Sequence, residues 1–275
     1  MTRLTLDGVG FAYPDGTRAL AGVDLEIGPG EAVAIIGQNG SGKTTLARHL
    51  DGLLRPTAGR VLYDGVDTAG RRTAEMAAVV GMAFQDPDAQ IFSRRIRDEV
   101  AFGPRVLGRS AADVSSAVAR ALELVGLADS ADQNPYDIGY SRRKLLALAS
   151  VHAMETPVVV LDEPTTGQDA PGMRRVEAVI ADLLARGRTV VGISHDMRFV
   201  ADTFGRIVVM RAGRVVLDGS PAEVFAEAAW PTLASTFLEP PLAAQLGARL
   251  GLGSTPTEAA LIEAFGPREA RSMRR

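Results

Sequence analysis

A run of five apolar residues, Ala32-Val33-Ala34-Ile35-Ile36, leads into Gly37-Gln38-Asn39-Gly40-Ser41-Gly42-Lys43-Thr44, and a helical pattern follows to Leu50. No other stretch of the 275 residues restricts the fold as strongly. A short continuous apolar run ending at a turn suits a strand buried on both faces, as found in parallel sheets covered by helices. The glycines allow backbone N–H groups to turn inward around anionic oxygens. The helix that starts near Lys43 points the positive end of its dipole at the same spot. A G-x-x-x-x-G-K-[ST] spacing between a buried strand and a helix therefore reads as a phosphate cradle. Lys43 is placed to contact the β- and γ-phosphates of a bound nucleotide, and Thr44 to ligate Mg2+.

Strand and helix patterns alternate beyond the cradle. Val79 to Phe84, Val158 to Leu161 and Thr189 to Ile193 read as strands. Residues 111–126 are helical in pattern, with Val114, Val118, Ala121, Leu122 and Val125 on one stripe. Residues 142–154 and the stretch from about Met173 to Ala185 read as further helices. The alternation predicts an α/β fold: a mainly parallel core sheet with helices on both faces. Residues 3–36 read as strands, and Val23, Leu25 and Ile27 alternate with polar neighbours as in a half-exposed antiparallel strand. Arg206 to Met210 and Val215 to Leu217 flank Gly213 as a hairpin. From Pro221 onward, Trp230-Pro231, Pro240-Pro241 and the Gly251 to Pro256 stretch break up short helices. A main domain over 1–220 and a small C-terminal extension over 221–275 are expected.

Two carboxylates end one of the apolar strands, in Val158-Val159-Val160-Leu161-Asp162-Glu163. In open α/β sheets ligands sit at the C-terminal ends of strands. Asp162 is placed to hold Mg2+, and Glu163, one residue on, to polarise an attacking water. His195 ends another buried strand, in Ile193-Ser194-His195-Asp196, and the parallel order would bring it beside Asp162 and Glu163. His49 and His152 have no such context, and no set of His, Cys and carboxylates has structural-metal spacing. Gln85 ends the Val79 to Phe84 strand.

Composition excludes several classes. The net charge of −3 gives no general attraction to nucleic acid. Without cysteine there is no disulfide framework. The start, Met1-Thr2-Arg3-Leu4, lacks the pattern of a signal peptide, and no run of about 18 apolar residues offers a bilayer span. A membrane role must come through a partner. Of the 30 basic residues only Lys43 and Lys144 are lysines.

Taken together, these motifs resemble the nucleotide-binding subunit of ABC transporters, over about residues 3 to 220. Gly37 to Thr45 matches the family's Walker A loop, so Gly37, Gln38, Asn39, Gly40, Ser41, Gly42, Lys43, Thr44 and Thr45 are implied to bind ATP. Tyr13 matches the aromatic residue that stacks on adenine. Gln85 matches the glutamine loop, with a role at Mg2+ or the attacking water. Asp162 and Glu163 match the Walker B pair, His195 the switch histidine, and Thr166-Gly167-Gln168-Asp169 the D-loop. The implied fold is that of a P-loop ATPase with an antiparallel β subdomain and a helical subdomain at about 90–155. Implied partners are a second ATPase subunit, identical or different, and an integral membrane transporter subunit. The implied location is peripheral, on the cytoplasmic face of the cell membrane. The glutamine loop, Phe84-Gln85-Asp86-Pro87-Asp88-Ala89-Gln90-Ile91-Phe92, and Pro240-Pro241-Leu242 in the extension are similar to energy-coupling-factor and cobalt-type importers. That narrower resemblance implies uptake of a vitamin or metal ion, and a C-terminal extension that helps hold two ATPase subunits together. Ile91, Phe92 and Phe102, among Arg94, Arg95 and Arg97, suit either a groove for a membrane-partner helix or local packing.

The family's signature, leucine-serine-glycine-glycine-glutamine, is altered here to Ile138-Gly139-Tyr140-Ser141-Arg142. Gly139 lacks the serine hydroxyl, and Tyr140 is bulky where close backbone approach is needed. Ser141 is expected to cap the helix. Arg142, Arg143 and Lys144 then crowd a first turn where cations are unfavourable, either solvated or facing a phosphate. A third reading is a heterodimer with unequal sites. Two rival functions remain: a soluble ABC ATPase acting on the ribosome or DNA, and a P-loop small-molecule kinase. The first needs coiled coils, a second ATPase domain or a basic face, none of which is visible. The second would replace the switch histidine and D-loop with a lid and acceptor site.

Overall fold

The computed structural model describes residues 2–272. The chain opens with β1 (Leu4–Ala12) and β2 (Arg18–Ile27), paired antiparallel in the register Leu6↔Leu25 and Val9↔Val23. β2 buries Val23, Leu25 and Ile27 and exposes the residues between them, the expected half-exposed strand. β3 (Ala32–Ile36) follows and feeds the glycine-rich turn that opens α1 (Lys43–Leu50). Next come β4 (Ala58–Tyr63) and β5 (Val66–Asp67), joined by Asp64-Gly65 with φ of 52° and 78°. Two positive φ values make this a hairpin turn whose twist matches the strands. α2 (Thr73–Met76) is a single turn before β6 (Val80–Ala83).

A helical block comes next: α3 (Ile96–Val106), α4 (Ala111–Leu124) and α5 (Tyr140–Met154), which pack against one another. Ser110 caps α4 through the Asp113 N–H, and the Val114, Ala117, Ala121 and Leu122 face is buried. The chain returns to the sheet with β7 (Val158–Asp162), α6 (Ala170–Ala185), β8 (Thr189–Ile193), α7 (Met197–Thr203), β9 (Arg206–Arg211) and β10 (Arg214–Gly219). The last helices are α8 (Pro221–Val224), α9 (Trp230–Ala234), α10 (Leu242–Arg249) and α11 (Glu258–Ser272). Residues 273–275 of the expected extension lie outside the described residues.

Two sheets result. The antiparallel one has the order β2-β1-β4-β5. The other has the order β10-β9-β3-β8-β7-β6, parallel except for β10. Alternate residues of its central strands feed two cores. Ala34, Ile36, Val159 and Leu161 face the helical block and α6. Val33, Ile35, Val158 and Val160 face α1 and the antiparallel sheet. β3 and β7 are thus buried on both sides, which explains their unbroken apolar runs. Each such valine, leucine or isoleucine side chain contributes about 1.5–3 kcal/mol by leaving water. The C-terminal segment joins the first core through Val224, Phe225, Leu233 and Ala244.

The α/β architecture and mainly parallel sheet agree with the sequence reading. α5 differs: it begins at Tyr140, with Gly139 as N-cap in extended backbone. Ser141 is therefore inside the helix and does not cap it. Its hydroxyl donates instead to Gln168 Oε1 at 2.9 Å.

Candidate functional site

β3, β8, β7 and β6 lie side by side and parallel, so their C-terminal ends open on one edge. At the end of β3, Gly37 has φ of 155°, and a β-carbon there would lie 2.3 Å from the Met210 carbonyl oxygen. Gly40 and Gly42 have φ of 79° and 104°, left-handed values that disfavour any other residue. Gly42 is the N-cap of α1, and no side chain caps it. Backbone N–H groups at such a helix start are donors for an anion. The β9–β10 hairpin braces the loop: the Gly213 N–H donates to Ser41 O at 2.9 Å. Lys43 Nζ bends back over the loop and donates to the carbonyls of Gly37 (2.7 Å) and Gln38 (3.0 Å). Burial pushes the Lys43 ammonium below its ordinary value, and the negative charges of Glu163 and Asp162 oppose this.

Asp162 ends β7 and is buried, with Oδ1 lacking a hydrogen-bond partner. Burial first, then the like charge of Glu163, push its carboxyl above the usual range, while Thr44 and the two lysines oppose them. Glu163 follows with φ of 50°, its N–H donating to Ile193 O at 2.9 Å. The Glu163 side chain meets His195, whose Nδ1 lies 2.7 Å from Glu163 Oε2. A carboxylate only accepts, so Nδ1 carries the proton. Gln85 is exposed at the end of β6. Asn39, Gly40, Gly42, Lys43, Thr44, Thr45, Gln85, Asp162 and Glu163 together line a cavity of about 160 Å³. Thr44, Gln85 and Asp162 also line an adjoining cavity of about 410 Å³ with Arg48, Leu54 and Phe84.

The structure thus brings the cradle, both carboxylates, Gln85 and His195 to one edge. Tyr13 lies just outside the cavity lining, half-buried. Its hydroxyl is 2.9 Å from Thr45 Oγ1 and its ring meets Phe11 edge-on at 4.9 Å. Gln38 is half-buried and Asn39 exposed at the loop's rim. His49 and His152 serve elsewhere, bonded to Thr45 O and to Asp182 at 2.7 Å each. Among the described residues no group of His, Cys and carboxylates has the arrangement of a metal site. No helix of the described residues is long and apolar enough to cross a membrane.

The altered signature is partly engaged within the chain. Tyr140 lies against Gly167, where a β-carbon would come within 3.2 Å of the ring, and Arg143 sits over the same ring at 6.0 Å. Arg142 donates to Ser130, and Arg143 to Asp88 and the Ile138 carbonyl. Lys144 turns inward to the carbonyls of Gln85 (3.1 Å) and Glu163 (2.5 Å). The three cations are thus neither freely solvated nor grouped around one anion. The sequence reading has Lys144 only as a signature-helix cation, solvated or facing a phosphate, and Gln168 only as part of the D-loop; the contacts they make within the chain escaped it. Their signal is faint: a lysine in an arginine-rich chain, and an amide in a loop following the carboxylates. Of the apolar residues near Gln85, Ile91 is buried in the core, whereas Phe92 and Phe102 are exposed and meet edge-on at 4.7 Å.

Residues 20–166 match the family described as ABC transporter. An energy-coupling factor transporter ATP-binding protein, EcfA1 of Symbiobacterium thermophilum, is 42% identical over 267 residues, covering 92% of this chain and 91% of that protein. A longer curated relative from Caldanaerobacter subterraneus is 40% identical over 243 residues. The match takes in 88% of this chain, which spans 42% of that relative's length. Among solved structures, cbiO1 from Clostridium perfringens, part of the ABC transporter complex cbiONQ, superposes with a TM-score of 0.74 at 31% identity. It covers 90% of this chain and 98% of its own.

Proposed function

The chain belongs to the ABC transporter family of ATP-binding proteins, and from that premise we propose that it binds and hydrolyses MgATP to drive a membrane partner. The finer reading is an energy-coupling-factor type subunit serving uptake of a vitamin or metal ion, since such subunits are among its relatives. The observation that carries the hydrolytic reading is the Glu163–His195 hydrogen bond of 2.7 Å at the strand edge that also holds the phosphate cradle.

The chain's own groups divide the work. Loop N–H groups and Lys43 bind the phosphates, and Tyr13 stacks on adenine. Glu163 accepts a proton from the attacking water, and His195 orients that carboxylate. The buried, unpartnered Oδ1 of Asp162 beside Thr44 fits a divalent cation, an oxygen-rich pairing that suits Mg2+. Thr44, Asp162 and Gln85 would hold it. When bound, it neutralises charge on the phosphate oxygens.

Closure of a dimer on ATP would sandwich nucleotide between each cradle and the facing signature. Residues 221–275 are assigned to the dimer contact, and the helical block at about 90–155 to a subdomain beside the main domain. The exposed Phe92–Phe102 pair is assigned to the membrane partner, which would keep the chain at the cytoplasmic face. The test is steady-state phosphate release by the full chain, alone and with a second ATPase subunit, against Glu163→Gln. Loss of roughly 10²- to 10⁴-fold in kcat with ATP binding retained is expected for removal of a general base. Phosphate transferred to a small acceptor instead of water would overturn the reading in favour of a kinase.

A further inference from the structure

Burial pushes both lysines of the chain below their ordinary value, and at both the charges of Glu163 and Asp162 oppose this. Lys43 belongs to the phosphate cradle. Lys144 belongs to none of the groups assigned above. It sits at the start of the second turn of α5 and is buried. Its Nζ joins two segments that are far apart in sequence, donating to Gln85 O at 3.1 Å and Glu163 O at 2.5 Å. One ammonium from a third element therefore ties the end of β6 to the end of β7.

Desolvating an ammonium is unfavourable, so packing alone would be better served by an apolar side chain. What the ammonium adds is three donors on a slim stem, able to meet two carbonyls at once. One of those carbonyls belongs to Glu163, whose left-handed φ of 50° is disfavoured for a residue with a β-carbon and persists only under external restraint. The same helix grips the following loop a second time. Ser141 Oγ donates to Gln168 Oε1 at 2.9 Å, and Gln168 Nε2 donates to Ser141 O at 3.0 Å. The start of α5 thus clamps residues 163–168 at both ends.

We propose that Lys144 is a positioning residue of the hydrolysis site, fixing the main chains of Glu163 and Gln85 relative to each other so that the Glu163 carboxylate stays aimed beside the cradle. The inference rests on the reading of Glu163 as general base. It also gives the altered signature helix a function within its own subunit, independent of any nucleotide on a partner.

Lys144→Met keeps the stem and removes the donors, and Lys144→Gln keeps donors without the charge. Both are compared with wild type in the full chain, with its partner ATPase where hydrolysis requires one. Lys144→Met should lower kcat by roughly ten- to a hundred-fold, as loss of an orienting partner does, with KM for MgATP moving by less than about two-fold. Lys144→Gln should recover part of the loss. Amide hydrogen exchange in the variant should rise in residues 85–90 and 163–168 and stay unchanged in β1 and β2. Unchanged kcat in Lys144→Met, a uniform rise in exchange, or Lys144→Gln as slow as Lys144→Met would each overturn the proposal. If the wild type releases no phosphate even with a partner, the functional reading fails. The exchange pattern then still decides whether Lys144 holds the two segments.

Discussion

Restoring the signature, Gly139→Ser with Tyr140→Gly, tests whether the altered motif limits catalysis. The backbone accepts both changes. Gly139 has φ of −63° and ψ of 161°, and a β-carbon there meets nothing within 4 Å. A serine at this N-cap position gains a few tenths of a kcal/mol over glycine. Removing the Tyr140 ring, 41% exposed and resting on Gly167, costs about 1–2 kcal/mol of packing. The net loss of about 1 kcal/mol is small beside the roughly 5–15 kcal/mol typical of folded domains. The catalytic gain is larger. One recovered donor to a transferring phosphoryl group is worth about 2.7–4 kcal/mol, or roughly 10²- to 10³-fold in kcat. The assay is phosphate release at saturating MgATP by the full chain, in the oligomer in which it works, with urea unfolding as a control on stability. The rate should rise if a nucleotide faces this signature across a dimer. A kcat within about two-fold of wild type, in a folded variant, would refute the idea that the lost hydroxyl and the added ring handicap the site.

Two further outcomes follow from single residues. Asp51 is buried, and desolvation pushes its carboxyl up to about 6. A raised carboxyl favours the folded state below the unfolded value near 3.8, and stability drains away as pH rises through about 6, by about 3 kcal/mol at most. Asp51→Asn keeps an acceptor for the Leu53 N–H and should raise the urea midpoint at pH 7.5 but not at pH 3.5; equal effects at both would contradict this. Gly37→Ala drives a β-carbon to 2.3 Å from Met210 O and 2.6 Å from Ser41 Oγ, so the cradle must shift. ATP binding should be lost, with about 1–3 kcal/mol of stability, as measured by calorimetric titration and urea unfolding; unchanged affinity would mean the loop is not held by that contact.

The cradle and the carboxylate strand were legible because their chemistry is local. Glycines that must adopt positive φ, and apolar runs buried on both faces, print their constraint on adjacent letters. β4 and β5 were missed because Ala58, Gly59, Arg60 and both residues of β5 are exposed and carry no alternation. The start of α5 was misplaced because Ser141 suits a cap, whereas its hydroxyl is taken by Gln168, a residue 27 positions away. Lys144 reads from sequence only as solvated or facing a phosphate, and its main-chain partners stay hidden for the same reason: they lie 59 and 19 positions distant. Contacts of that range are set by sheet order, and β6 reaches β7 only after the helical block has been inserted between them.

The scarcity of lysine has a practical side. Lys43 and Lys144 are 8% and 6% exposed, and every other basic side chain is an arginine or a histidine. Reagents that acylate side-chain amines, and proteases that cut only after lysine, therefore find no target on the outer surface. They act at these two positions when the strand edge opens, so their rate reads the breathing of the nucleotide site directly. An arginine-specific protease, cutting at many exposed positions, supplies the internal comparison for unfolding elsewhere.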